Sequence, residues 1–188
     1  MVNIPGPVNH VRLPTRPHLK LETGLWKEGI QFIAGVDEAG RGAWAGPVAA
    51  AAVVLPYLRP RWLRGCLGEV QDSKKLSCRK REILNELIST VAISVSVGFA
   101  DSHEVDSLGL MVATRAAMRR AVSGLDVPPQ YLLVDAVDLH LELELPQESM
   151  YFGDSISLSI AAASIVAKAG TADFKVCIPM WGVSFCGS

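Results

Sequence analysis

The sequence predicts an α/β domain. Short apolar runs typical of buried strands alternate with longer segments whose apolar residues recur at helical spacing. Two of the apolar runs, 30–36 and 131–134, lead directly into acidic residues. The length of 188 residues is enough for one domain with a substantial core. We therefore expect helices packed on a sheet, with an acidic site where its strands end.

The composition indicates a cytoplasmic protein. Hydrophobic residues make up 49% of the chain, but no run approaches the roughly 18 uninterrupted apolar residues of a membrane-spanning helix. The N-terminus lacks the basic-then-apolar order of a secretory signal. The net charge of −1 neither supports nor excludes a nucleic-acid partner, because a carboxylate-rich site can offset a basic binding face.

The four cysteines give no sign of a metal site or a disulfide framework. They form no C-x-x-C pair, and none has a histidine at zinc-ligand spacing. We expect reduced, structural thiols at Cys66, Cys78, Cys177 and Cys186.

The first part of the chain predicts a tail and a hairpin. Residues 1–20 contain four prolines and no periodicity, so we expect a mobile tail. Residues 21–29 form a short helical or turn lead-in. Two apolar strands, 30–36 and 48–55, follow with a short Gly-rich link, which favours antiparallel pairing. The alanines of the second strand permit a helix to pack closely on the sheet.

The middle of the chain predicts two helices around an edge strand. A helix over 78–90 has Ser77 as its N-cap and one apolar face. Residues 91–99 alternate as a half-buried strand near a sheet edge. A capping box at 101–104 opens a second helix that runs to Ser123. The expected inward residues are Ile83, Leu84, Leu87 and Ile88 in the first helix, and Ile93, Val95, Val97 and Phe99 in the strand.

The last third contains a second strand that ends in an aspartate. Residues 131–135 are a buried strand, and residues 139–145 indicate a short exposed strand or hairpin arm. Residues 156–168 are apolar nearly all round and predict a buried helix. Residues 169–188 have no clear period.

Four acidic residues are candidate metal ligands. Asp37 and Glu38 follow a buried strand, Asp135 ends another, and Asp154 precedes the buried helix. An unpaired buried carboxylate is costly, and oxygen ligands without histidine or cysteine favour Mg²⁺ or Mn²⁺. Such clusters hold two ions for phosphoryl chemistry. Simpler capping or turn roles stay open, above all for Asp154. Surface or capping roles fit Asp101, Asp106 and Asp138.

Glycine and basic residues beside these acids are candidate substrate contacts. Gly40, Arg41 and Gly42 offer backbone N–H groups and a guanidinium suited to phosphate oxygens, although they also fit a simple turn. Lys74 lies in a basic pair that fits either a phosphate contact or a solvated surface. Lys168 closes the buried helix and can direct a charge at the same site.

These motifs together resemble a known family. Residues 33–55 (IAGVDEAGRGAWAGPVAAAAVVL) closely resemble the first motif of ribonuclease HII, the bacterial type 2 ribonuclease H. Residues 72–77 (DSKKLS) and 97–106 (VGFADSHEVD) are similar to its next two motifs. Residues 132–135 and 153–168 (GDSISLSIAAASIVAK) are similar to the fourth and fifth. The resemblance covers about residues 21–168, in the family's order.

The resemblance implies a ribonuclease H-like fold, a mixed five-stranded sheet flanked by helices. It implies a monomeric endonuclease that cleaves the RNA strand of RNA–DNA hybrids and nicks duplex DNA 5′ of an embedded ribonucleotide. Two metal ions would give 3′-hydroxyl and 5′-phosphate ends. The implied acidic set is Asp37, Glu38, Asp135 and Asp154. The implied reader of the ribose 2′-hydroxyl is Gly40, Arg41 and Gly42, with Lys74 on phosphate.

The resemblance stops at Lys168. The family's C-terminal helical region carries a tyrosine motif, whereas residues 169–188 contain no tyrosine. We therefore expect three segments: a tail over 1–20, a catalytic domain over 21–168, and a divergent tail over 169–188. Two alternatives stay open at this point. One is an inactive truncated remnant that binds nucleic acid weakly at most, and the other is a different carboxylate–metal phosphotransferase or exonuclease on the same fold.

Overall fold

In the computed structural model, which describes residues 13–41, 47–57, 60–140 and 143–174, five strands form a single sheet. The strands are β1 Ile33–Ala39, β2 Val48–Val54, β3 Ser94–Ala100, β4 Tyr131–Asp135 and β5 Gln147–Met150. The helices are α1 Lys20–Lys27, α2 Pro60–Cys66, α3 Cys78–Val91, α4 Ser102–Leu108, α5 Leu110–Ser123, α6 Gly153–Ile156 and α7 Leu158–Phe174, with a 3₁₀ turn at Ser73–Lys75.

The sheet is mixed, and its order is β3-β2-β1-β4-β5. Strand β1 runs parallel to β4, and β4 runs parallel to β5. Strand β2 is antiparallel to both β1 and β3. These pairings confirm the predicted fold class, the antiparallel pair at the start of the domain and the edge position of β3. The strand that carries Asp37 therefore lies at the centre of the sheet.

Small residues let helices approach both faces of the central strands. All seven residues of β2 are buried, and four of them are alanines. On one face, an added Cβ at Gly35 would overlap the backbone of Ser159 in α7. On the other face, an added Cβ at Gly98 would overlap the Ala117 carbonyl in α5. Glycine at these two positions is what allows α7 and α5 to pack directly on the sheet.

A buried glutamate connects α1 to the start of α7. Glu22 is 1% exposed, and its Oε1 accepts hydrogen bonds from the Ser157 hydroxyl at 2.6 Å and from the backbone N–H of Ser159 at 3.0 Å. This carboxylate thus caps the N-terminus of α7 from another element, where negative charge is favourable. Leu19 is also buried at 1% exposure, so packed structure begins before residue 21.

Several local predictions need correction in β1 and β3. Strand β1 continues to Ala39, so Asp37 and Glu38 lie inside the strand and not beyond its end. In β3 the predicted burial is reversed, because the buried residues include Ser94, Gly98 and Ala100. Helix α5 covers that face, and a helix can come this close only over small side chains. The valines, which were expected to face inward, therefore lie on the less buried face of the strand.

The helix predictions were accurate in place but not in length. Ser77 caps α3 by accepting from the Lys80 N–H, as predicted, although Ile83 is 51% exposed and does not belong to the buried face. The capping box at Asp101 is present. The helix that it opens is interrupted at Gly109, whose φ of 83° is outside helical geometry, and then continues as α5. A single glycine within a helical pattern gave no clear warning of this break.

The last third of the chain differs more from the sequence predictions. Residues 139–145 do not form the predicted strand in their described part; Leu139 is fully buried in the cluster beneath α5, and 141–142 lie outside the described residues. Strand β5 follows instead at Gln147–Met150. The buried helix is divided at Ser157 and extends to Phe174, so helical order continues beyond residue 168. Within the described ranges, no helix has the length and apolarity needed to cross a membrane.

Candidate active site

Parallel pairing places two aspartates side by side. Val36 of β1 pairs with Val134 of β4, so the next residues, Asp37 and Asp135, emerge together on neighbouring strands. Asp37 is only 4% exposed. Its Oδ1 accepts the Glu38 backbone N–H at 2.7 Å. The convergence expected for carboxylates at the ends of parallel strands is therefore present.

Asp154 comes to the same place through an irregular connection. Phe152 has a left-handed backbone with φ of 60°, which reverses the chain between β5 and α6. The Gly153 N–H then donates to Asp135 Oδ1 at 2.7 Å. A side chain at position 153 would crowd Ile160 and Asp135. This turn fixes the orientation of Asp135 and sets the 7% exposed Asp154 beside it.

One cavity of about 540 Å³ brings the candidate residues together. Gly42 lies outside the described residues. Every other candidate lines the cavity, together with Ala39, Leu110 and Ser164; these are Asp37, Glu38, Gly40, Arg41, Lys74, Asp135, Asp154 and Lys168.

Glu38 reaches the cavity from the face of the sheet opposite to the one that carries the Asp37 side chain. Successive residues of a strand point to opposite faces, so Asp37 faces α7 and Glu38 faces α5. Glu38 Oε1 accepts from Arg41 Nη1 at 3.0 Å, and Arg41 Nη2 also contacts Met111 Sδ at 3.2 Å. The second oxygen of Glu38, Oε2, is buried without a hydrogen-bond partner. One oxygen of this carboxylate is thus held by arginine and the other is left to accept a ligand.

The acidic residues disfavour one another's charge in the absence of a cation. Burial raises the pKa of Asp37 well above its usual range, and the negative charges of Glu38 and Asp135 raise it further. Burial also raises the pKa of Asp135 to about 6; the hydrogen bond from Gly153 opposes this shift, and the charge of Asp154 adds to it. A site of this kind gains stability when positive charge enters it.

Two lysines line the cavity on the side of α7. Lys74 lies in the 3₁₀ turn, where Asp72 accepts its backbone N–H at 3.0 Å. Lys168 extends from α7 and donates to the Ser73 hydroxyl. Burial lowers the pKa of Lys168, whereas the negative charge of Asp37 opposes that shift. The cavity therefore combines deep carboxylates with cationic groups suited to phosphate oxygens.

One family model matches most of the chain. The family model described as ribonuclease HII matches residues 34–176. The chain belongs to the ribonuclease HII family. This match ends at residue 176, eight residues beyond Lys168, where the sequence resemblance was expected to end.

Individual ribonucleases are similar to this chain in sequence or in fold. Ribonuclease HII of Ligilactobacillus salivarius is 44% identical over 161 residues, which are 86% of this chain and 60% of that protein. The chain thus spans about 60% of the length of that relative. The ribonuclease H2 structure of Pyrococcus horikoshii superposes with a TM-score of 0.66 at 26% identity, covering 76% of this chain and 72% of that one. The Bst ribonuclease HIII structure in complex with Mn²⁺ shares the fold, with a TM-score of 0.60 at 18% identity over 76% of this chain and 52% of that one.

The donor set of this ribonuclease HII family member fits a hard divalent cation. All four acidic candidates supply carboxylate oxygens, and the orphaned Glu38 Oε2 is a buried acceptor in need of a partner. Among the described residues, no three histidine, cysteine or acidic side chains are gathered tightly enough to enclose an ion as they stand.

Sequence reasoning missed two polar residues of the site, Ser73 and Ser164. Ser164 lines the cavity, and its hydroxyl lies 2.8 Å from that of the buried Ser73. Both occur within the quoted motifs. A signal was available for Ser164, because residues four apart on a helix share a face and Lys168 was already a candidate.

The acidic residues set aside from the sequence have local roles. Asp101 Oδ1 accepts the Glu104 N–H at 2.8 Å and caps α4. Asp138 Oδ1 accepts the His140 N–H at 2.8 Å within a turn. Asp106 is exposed on α4. None of the three lines the cavity, in agreement with their predicted surface or capping roles.

Proposed function

We propose that this protein is a metal-dependent endoribonuclease that cleaves the RNA strand of RNA–DNA hybrids and nicks duplex DNA on the 5′ side of an embedded ribonucleotide. The observation that carries the proposal is the single cavity lined by Asp37, Glu38, Asp135 and Asp154, in a chain of the ribonuclease HII family. A cavity with four acids repels a polyanion unless cations occupy it, so the nuclease function and the metal requirement belong together.

The four carboxylates would hold Mg²⁺ or Mn²⁺. When bound, a pair of such ions supplies an activated water and stabilises the leaving 3′-oxygen, which gives 3′-hydroxyl and 5′-phosphate ends. Asp37 and Asp135 are fixed by the register of their strands and by the backbone N–H groups of Glu38 and Gly153. The protein thus pre-orients its oxygen donors, and little rearrangement of these two residues is needed.

The basic residues would bind and orient the substrate. Lys74 and Lys168 line the same cavity as the acids, where their ammonium groups can contact phosphates that flank the scissile bond. Fixing the phosphodiester in this way favours in-line attack, because correct alignment of the reacting groups lowers the barrier.

The turn after β1 would recognise the ribose. Gly40 has a left-handed φ of 99°, and an added Cβ would meet the Pro47 carbonyl oxygen at 2.6 Å. Only glycine fits there, and its backbone can approach a sugar closely. Arg41 follows with a guanidinium at the cavity, and we include Gly42 in the same reader. The 2′-hydroxyl is the group that distinguishes RNA from DNA.

A duplex DNA with one ribonucleotide tests the proposal. Incubation of folded protein with this duplex in Mg²⁺ and in Mn²⁺ should give one nick on the 5′ side of the ribonucleotide. An all-DNA duplex of the same sequence should stay intact. Single-stranded DNA and duplex RNA should be poor substrates; preferred cleavage of either would favour a different nuclease on this fold. The absence of nicking in both metals would refute the proposal.

A further inference from the structure

A line of hydrogen-bonding side chains approaches Asp37 from the side of α7. The hydroxyls of Ser73 and Ser164 are 2.8 Å apart, and the two residues are 0% and 1% exposed. Lys168 Nζ donates to Ser73 Oγ. Ser164 and Asp37 line the same cavity, and hydrogen bonding by the Ser164 side chain lowers the pKa of the Asp37 carboxyl group, against the larger effect of burial. We refer to Lys168, Ser73, Ser164 and Asp37 as the serine chain.

When Asp37 is ionised, as it is when it binds a cation, the chemistry of the two ends fixes the direction of every hydrogen bond in the serine chain. An ammonium group can only donate, and a carboxylate can only accept. Ser73 therefore accepts from Lys168 and donates its own proton to Ser164, which in turn donates to Asp37. Both hydroxyls are used once as acceptor and once as donor. Hydrogen bonds arranged in one direction polarise and strengthen one another.

The serine chain also joins three elements that meet at the site. Ser73 belongs to the 3₁₀ turn that carries Lys74. Ser164 and Lys168 lie one turn apart on α7, and Asp37 lies in the central strand β1. A shift of the turn would be transmitted to Asp37 through two buried hydroxyls. The same groups thus link the position of a phosphate-contacting lysine to that of a metal-binding carboxylate.

We propose that Ser73 and Ser164 are positioning residues that orient the Asp37 carboxylate for a divalent cation and couple it to the turn that carries Lys74. This inference rests on the proposed function, since it assumes that Asp37 binds metal. The residues that hydrogen-bond a metal-binding side chain commonly change metal affinity by 10- to 100-fold when they are replaced. The two serines would act on Asp37 in this way, with Ser164 beside Asp37 at the cavity and Ser73 one step removed.

The test is the dissociation constant for Mn²⁺, measured by titration calorimetry without nucleic acid. We expect Ser164→Ala to weaken binding about tenfold or more and Ser73→Ala to weaken it less. The double variant should bind about as weakly as Ser164→Ala alone, because contacts in one chain are not additive. Ser164→Cys keeps a hydrogen-bond donor at this position, although the thiol is larger than the hydroxyl and donates more weakly, so it should fall between Ser164→Ala and the wild type.

Ser159→Ala is the matched control. It removes another fully buried hydroxyl from α7, one that donates to Glu22 and does not belong to the serine chain. It should lower the melting temperature without changing the Mn²⁺ affinity. If Ser164→Ala fails to fold, the comparison of Ser164→Cys with Ser159→Ala decides the question.

Two results would overturn the inference, and they differ in what they leave standing. Wild-type affinity in Ser164→Ala and Ser164→Cys, or an equal loss in Ser159→Ala, refutes the positioning role. If Asp37→Asn still abolishes Mn²⁺ binding in that case, the proposed function survives. No Mn²⁺ binding by the folded wild-type protein would contradict both.

Discussion

Asp37 shows at the scale of one residue how function and stability oppose each other. It is 4% exposed in the central strand, with Glu38 and Asp135 as its acidic neighbours. The burial of a carboxylate among like charges is unfavourable until a cation enters. Natural proteins keep such residues where activity requires them and lose some stability in return.

Asp37→Asn should therefore separate activity from stability. The amide keeps the shape of the side chain but removes a negative charge, so nicking should be abolished. In EDTA at pH 8, its melting temperature should equal or exceed that of the wild type, because an unfavourable buried charge has been removed. Differential scanning calorimetry with and without EDTA measures this. A fall of several degrees in EDTA would show that the charge is satisfied within the protein itself.

The same scale shows what sequence can and cannot reveal about a site. The four acids could be predicted because charges beside apolar runs stand out along the chain. Asp37 and Glu38 approach the cavity from opposite faces of the sheet because they lie within β1. The sequence predicted that this strand ends at residue 36, whereas it continues for three more residues, to Ala39. Ser164 was missed because a serine among alanines does not stand out along the chain, although its spacing of four residues from Lys168 indicated a shared helix face. Its partner Ser73 is 91 residues away in the sequence.

At the scale of the elements, the site depends on how closely α7 packs against β1. Gly35 lies directly beneath the Ser159 backbone, and Asp37 follows two residues later on the same face of the strand. The helix that brings Ser164 and Lys168 to the cavity is therefore held at a distance that only glycine permits. The buried Ala161, Ala162 and Ala163 serve the same close packing.

Gly35→Ala should separate this helix from the strand. We expect a loss of about 1–3 kcal/mol in the free energy of unfolding, the usual cost of overpacking, together with weaker nicking. Gly24→Ala is the control, because an added Cβ there has no neighbour within 4 Å in α1; it should stabilise by about 0.5–1 kcal/mol. Urea denaturation of both variants provides the measurement. Equal stability of Gly35→Ala and wild type would contradict the packing account.

A second contact at this scale connects α4 to α5. Glu104 Oε1 accepts from Arg120 Nη2 at 2.6 Å, and Arg120 also donates to the Phe99 carbonyl at the end of β3. The hydrogen bond from Arg120 lowers the pKa of Glu104 to about 2, with a further contribution from the Asp101 backbone. Because the folded-state pKa lies below the ordinary carboxyl value, the pair stabilises above about pH 4.5 and loses its effect as the pH falls towards 2.

The effect of Glu104→Gln on the melting temperature should change with pH in the same direction. The variant should melt below the wild type at pH 7, and the difference should shrink between pH 4.5 and pH 2 as Glu104 of the wild type becomes protonated. Asp106→Asn, which removes an exposed carboxylate from the same helix and leaves the Glu104–Arg120 pair intact, is the control. Thermal melts across this range test the assignment. A difference that is independent of pH would indicate lost packing and not a lost ion pair.

At the scale of the whole molecule, the order of the elements was more predictable than their connections. The apolar strands β1, β2 and β4 could be recognised in the sequence, because each is buried along most of its length. Strand β5 did not, because its four residues are half-buried or exposed and it exists by pairing with β4. Whether such a strand pairs with another depends on residues that are distant in the sequence. Local patterns predicted the antiparallel pair β1–β2 and the edge position of β3, whereas the mixed five-stranded sheet as a whole followed from the family resemblance.

We propose that the acids around Asp37 form the metal site of a nuclease that acts at ribonucleotides. The most direct measurement is the nicking rate of duplex DNA with one ribonucleotide, compared between wild type and Asp37→Asn under single-turnover conditions in Mn²⁺, with folding verified for both proteins. We predict one nick 5′ of the ribonucleotide by the wild type and none by Asp37→Asn. Equal nicking by both proteins, or no nicking by the folded wild type, would contradict the claim.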